Sequence, residues 1–148
     1  MATVYETLMA YEIGMEMGLL SVDELRDYLS AQLREKDVPY ICTAVYLSLD
    51  KGTEAITETI FYNMQGHYVQ DRTAGSPVQR VLIGMIRDRY RSGALDLAEC
   101  VNWLHRLTDY TDGSWELLSI DEYYRLNRSG FCPDEDFRQM LDRIFAQT

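Results

Sequence analysis

The sequence predicts an all-α fold, and three observations predict it. A glycine-led unit stands at Gly18-Leu19-Leu20-Ser21-Val22-Asp23-Glu24, at Gly93-Ala94-Leu95-Asp96-Leu97-Ala98-Glu99 and at Gly130-Phe131-Cys132-Pro133-Asp134-Glu135, each time between two runs of helical apolar periodicity. In the first two, a Ser or Asp lies three residues before a Glu. That spacing lets a side-chain oxygen and a carboxylate reciprocally satisfy the free amides of a helix's first turn. Only one stretch, residues 40–49, has strand-like composition, and a lone strand has no partner for its backbone hydrogen bonds. At 148 residues and 47 % hydrophobic, the chain suits a single all-α domain, 1–148, of about eight helices in antiparallel hairpins, as a bundle or short solenoid.

The first helix covers residues 3–17, with Val4, Leu8, Tyr11 and Met15 on one stripe that Tyr5, Met9 and Ile13 widen. Gly14 inside it permits close helix contact. The second starts at the Ser21 cap, carries Val22, Leu25, Leu29 and Leu33 inward, and cannot pass Pro39. Residues 40–49 follow as a buried helix. Residues 53–66 place Ile56, Ile60 and Met64 at helical spacing, with Glu54 and Glu58 near the positive end of the helix.

Residues 65–75, with Gly66 and Gly75 and no sustained period, form the longest irregular connection and divide the hairpins. Ser76-Pro77-Val78-Gln79 then offers a cap, a proline at the first helical position and a capping-box glutamine. Val78, Val81, Leu82, Met85, Ile86 and Tyr90 form the stripe of this fifth helix. Leu97, Val101, Leu104 and Leu107 mark a sixth that ends before Asp112-Gly113. Ser119-Ile120-Asp121-Glu122 reads as a capping box opening a short helix through Arg128. The last helix begins at Pro133 and buries Phe137, Met140, Leu141, Ile144 and Phe145. The three glycine units are 75 and 37 residues apart, which with a degenerate copy around Asp50-Lys51-Gly52-Thr53 fits either a repeat of about 37 residues or the stop-and-start signals that any all-helical chain reuses.

The 24 acidic residues against 14 basic ones give a net charge of −10, which repels phosphate backbones and anionic membranes. The expected partner is a protein, preferably basic, with neither nucleic acid nor membrane involved. Cys42, Cys100 and Cys132 are too few and scattered for a disulfide framework, which fits a reducing cytoplasm. Met1-Ala2-Thr3-Val4-Tyr5-Glu6 lacks the basic segment of a secretory signal, and no apolar run approaches the roughly 20 residues of a membrane span.

No phosphate loop, nucleophile elbow or zinc-protease helix occurs, and neither His67 nor His105 shares a ligand spacing with a cysteine pair. No catalytic residue, metal or cofactor is assigned. Glu12/Glu16, Glu24/Asp27 and Glu54/Glu58 are paired carboxylates of the kind that hold magnesium in helical nucleotide pyrophosphatases. Their pattern of Glu-x-x-Glu followed by Glu-x-x-Asp is only partly met, at Glu24-Leu25-Arg26-Asp27, so the pairs read first as solvated helix faces. A metal-dependent nucleotide hydrolase would need them to converge in one pocket. Asp109-Tyr110-Thr111-Asp112-Gly113 has its glycine one position too early for a calcium loop and lacks the closing glutamate.

A binding surface is better marked. Between Arg106 and Arg125 there is no basic residue, while Asp109, Asp112, Glu116, Asp121 and Glu122 interleave with Tyr110, Trp115, Tyr123 and Tyr124. Such a cluster steers a basic partner by its charge and supplies contact energy through its rings. Arg80, Arg87, Arg89 and Arg91 make the fifth helix locally basic, and eleven tyrosines in the chain suit an interface.

Val4-Tyr5-Glu6-Thr7-Leu8, followed by Met17-Gly18-Leu19-Leu20-Ser21-Val22-Asp23-Glu24-Leu25, resembles the start of small acidic helical immunity proteins of bacterial polymorphic-toxin and contact-dependent inhibition systems. The resemblance covers little more than the first two helices and transfers no functional residue. It implies a cytoplasmic protein that binds a cognate toxin domain and blocks its active site or substrate entry, and the acidity suits a basic nuclease toxin. The alternative is a helical adaptor or regulatory subunit for an endogenous bacterial protein.

Overall fold

A computed structural model describes residues 2–67 and 72–148 of the chain. The described residues form an all-α structure of eight α-helices without a strand. They are α1 (Val4–Met17), α2 (Val22–Gln32), α3 (Tyr40–Ser48), α4 (Thr53–Asn63), α5 (Pro77–Arg91), α6 (Leu97–Leu107), α7 (Trp115–Arg128) and α8 (Asp134–Phe145), with one 3-10 turn at Leu49–Lys51. Of the irregular connection expected at 65–75, residues 68–71 lie outside the described residues.

Contacts divide the chain into two compact units, Met1–Val69 and Gln70–Thr148, each holding four of the helices. In the first unit α2 packs on α3, α3 on α4, and α1 on α4. Leu8, Leu25, Leu29, Val45, Ile56 and Ile60 meet in its core, all fully buried. In the second, α5 packs on α6, α6 on α7 and α7 on α8, and α5 also meets α8. Leu82, Ile86, Leu104, Leu107, Leu117, Ile120 and Ile144 are fully buried there. Each such side chain contributes about 1.5–3 kcal/mol by leaving water, which is why each unit needs its four apolar stripes turned inward.

The glycine-led units act as the sequence suggests. Gly18 ends α1 at φ 84° and Gly93 follows α5 at φ 85°, a left-handed conformation that costs other residues strain. The capping boxes at Ser21/Glu24 and Asp96/Glu99 are both complete, and Thr3/Glu6 forms a third at the start of α1. Residues 40–48 are helical despite their β-branched and aromatic content. Ile41, Cys42 and Val45 point into the core while Tyr40 and Leu47 stay 72 % and 65 % exposed, a one-sided pattern that a strand would not give.

Two expected caps differ. α7 opens at Trp115 from a cap five residues before Ser119, the Ser114 hydroxyl accepting from the Leu117 amide at 3.3 Å, so Ser119 lies inside the helix. Ser76 does cap α5, accepting from the Gln79 amide at 3.1 Å. The Gln79 side chain instead accepts from the Gly75 amide at 2.8 Å and crosses to the loop after α6. The buried face of α5 is accordingly Val78, Gln79, Leu82, Ile83 and Ile86, with Val81, Met85 and Tyr90 half-buried beside it.

Candidate protein-binding surfaces

Once α7 starts at Trp115, its geometry orders the acid-and-aromatic region. Leu117 and Ile120 face the core, which turns Trp115, Leu118 and Glu122 outward at helical spacings of three and four. Trp115 is 58 % exposed and Leu118 56 % exposed. The Tyr123 ring meets the indole edge-on, with centroids 6.2 Å apart. The two rings border a shallow 250 Å³ depression completed by Asp136, Gln139, Met140 and Arg143 of α8.

The remaining residues of the region separate into other groups. Tyr124 turns toward α8, its ring 5.8 Å from that of Phe137, and the Arg128 guanidinium lies over it at 5.8 Å. Tyr124 therefore serves helix packing. Arg125 reaches back to both acids of its own helix, 3.6 Å from Asp121 and in close contact with Glu122, so this end of the acidic stretch carries its own counter-charge. Glu116, in the first turn of α7, is half-buried where negative charge is favoured.

Asp109 and Asp112 are exposed in the loop between α6 and α7. The loop's backbone is held firmly: the Tyr110 carbonyl accepts from the Arg72 guanidinium at 2.7 Å, and the Asp112 amide donates to the Arg72 carbonyl at 2.6 Å. Of the nine residues the sequence singles out, exposed Trp115 and half-buried Tyr123 thus form one aromatic pair, flanked along the helix by Glu122. Leu118 is the residue sequence reasoning missed. Its signal was its place three residues after Trp115, which has meaning only if the helix begins at Ser114.

A second feature lies in the first unit. Glu12 and Glu16 of α1 and Glu54 and Glu58 of α4, two of the carboxylate pairs noted in the sequence, line one groove of about 540 Å³ with Met15, Thr53 and Thr57. Among the described residues, no three His, Cys, Asp or Glu side chains are grouped so as to hold one metal ion. His67 stacks on Tyr5 at 3.9 Å, and the buried Nδ1 of His105 faces no hydrogen-bond partner in the described structure. Among the described residues no helix is long and apolar enough to cross a membrane.

No family model, curated protein or solved structure matches the chain.

Proposed function

We propose that the chain works by binding another protein, as a cytoplasmic immunity protein that occludes a cognate bacterial toxin domain, and not by catalysis. The observation that carries this reading is the outward face of α7, where Trp115 and Leu118 stand more than half exposed beside Tyr123. Large apolar side chains held in water on a rigid helix gain free energy when a partner covers them, and Trp and Tyr are the residue types that dominate such contacts. The net charge of −10 favours a basic partner over nucleic acid and speeds its approach.

Affinity capture with candidate toxin domains, read by mass spectrometry and repeated with Trp115→Ala and Leu118→Ser, tests the proposal. One salt-sensitive toxin fragment whose capture is lost with either substitution is expected. An endogenous housekeeping protein captured in its place would overturn the immunity reading in favour of an adaptor. Capture indifferent to both substitutions would move the interface off α7.

A further inference from the structure

α7 and α8 form a hairpin joined by residues 129–133, in which Tyr124 lies against Phe137. The depression between the two helices therefore has a direction. Trp115 stands toward the end of α8 that carries Arg143, and Tyr123 toward the end that carries Asp136. Asp136 and Arg143 are both exposed and seven residues apart, two turns along one face of α8, with buried Met140 beneath them. Among the described residues neither side chain has an ion-pair or hydrogen-bond partner, whereas Asp121 and Glu122 on α7 are held by Arg125. An apolar floor with aromatic walls thus lies between one uncompensated acid and one uncompensated base.

From this, and resting on the reading of α7 as a protein-binding surface, we infer that the α7/α8 depression takes a helical segment of the partner whose large apolar side chain is flanked by opposite charges, an acid facing Arg143 and a base facing Asp136. Charge complementarity identifies the occupant. Seven residues of helix advance about 10 Å, so an acid and a base seven apart on an incoming helix repeat the spacing of α8, with an apolar residue midway between them. That residue covers Met140 and the rings of Trp115 and Tyr123. In doing so it takes water from Asp136 and Arg143, and a charge that loses water without gaining a counter-charge is costly. A uniformly basic segment, which the net charge of −10 attracts at long range, satisfies Asp136 but sets like charge against Arg143. Steering and contact therefore select different features, a partner basic as a whole with an acid in its contact segment.

The probe is a phage-displayed library of helical peptides, randomised at positions i, i+3, i+4 and i+7 of one face and selected against the full chain. Enriched peptides are expected to carry an acid and a base at i and i+7, in either order, with Leu, Phe or Trp between them. The consensus peptide, labelled and titrated by fluorescence anisotropy, should bind Arg143→Glu at least about tenfold more weakly, and exchanging the peptide's acid for lysine should restore the affinity for that variant. Arg34→Glu, an equal change of charge at an exposed position of the first unit, should alter affinity less than about threefold. Uniformly basic peptides, an exchange that restores nothing, equal losses with Arg143→Glu and Arg34→Glu, or an empty selection would overturn the inference. Uniformly basic peptides that still lose binding with Trp115→Ala would leave the reading of α7 standing without it. Enrichment of the same peptides on Trp115→Ala as on the unaltered chain would overturn both.

Discussion

The side-chain amide of Gln79, fully buried in α5, donates to the hydroxyl of Thr111 at 3.0 Å, and that hydroxyl donates in turn to the Leu107 carbonyl at 2.9 Å. The same amide nitrogen also donates to the Asp112 carbonyl at 2.7 Å, and its oxygen accepts from the Gly75 amide at 2.8 Å. One glutamine thus joins the start of α5 to the turn that ends α6. It fixes the loop from which α7 departs, and so the direction in which Trp115 leaves the fold.

Gln79→Leu keeps the volume but leaves the Gly75 amide and the Asp112 carbonyl without their side-chain partner. A loss of about 1–3 kcal/mol is expected, since both groups are part-buried and each polar group stranded in this way costs toward the lower end of about 1–3 kcal/mol. Urea unfolding measures it. A change below about 0.5 kcal/mol would mean that water replaces the glutamine and that the network is not what holds the loop.

Gly14 faces Leu20 so closely that a Cβ there would lie 2.7 Å from Leu20 Cγ, with the Cδ1 methyl closer still. Leu20 is itself buried and has little room to retreat. Gly14→Ala, favourable for helix propensity by up to about 1 kcal/mol, should nonetheless destabilise by about 1–2 kcal/mol through overpacking. A stabilised variant in thermal unfolding would contradict the close approach.

Leu104→Ala and Trp115→Ala should separate core from surface. Leu104 is fully buried, so its truncation is expected to cost about 2–5 kcal/mol. Trp115 is more than half exposed, and its removal should leave stability within about 1 kcal/mol while removing partner binding. Equal destabilisation by the two would place Trp115 in the core.

Alkaline pH should weaken the fold. Burial pushes the Cys100 thiol from its ordinary 9.0 up to about 12. Burial likewise raises Cys42, and it raises Tyr28 against the opposing effect of a hydrogen bond with Thr7. In the unfolded chain Cys100 ionises near 9.0, whereas the folded chain holds it neutral, so its contribution is complete below that pH and disappears as pH climbs toward about 12. Unfolding free energy should stay flat up to about pH 8 and fall by on the order of 1 kcal/mol per pH unit above about pH 9, and Cys100→Ala should flatten that slope. A slope unchanged in that variant would assign the loss to other groups.

Where a residue's role is settled within its own turn of helix, the sequence was legible. Ser21 with Glu24 and Asp96 with Glu99 are three residues apart, and their geometry follows from that spacing alone. The last helix likewise buries the five residues its period marks, Phe137, Met140, Leu141, Ile144 and Phe145. Gln79 misleads because its pattern fits a local cap, while its partners Thr111 and Asp112 lie more than 30 residues away. The start of α7 misleads for the opposite reason: Ser114 and Ser119 both precede plausible helix, and burial of Leu117 decides between them. The candidate residues on α7 divided for the same cause, since whether Tyr124 meets Phe137 depends on how α8 packs against α7.

Each unit is completed by contact between its own first and last helices, α1 with α4 and α5 with α8. Neither closure asks the chain to find a residue more than about half its length away, so little loop entropy is lost before apolar contacts compensate it. Helical topologies of such short reach fold on the order of microseconds to milliseconds. A nascent chain would therefore have its first core assembled while the second half is still being synthesised, so that α7 emerges from a chain whose first four helices are already packed.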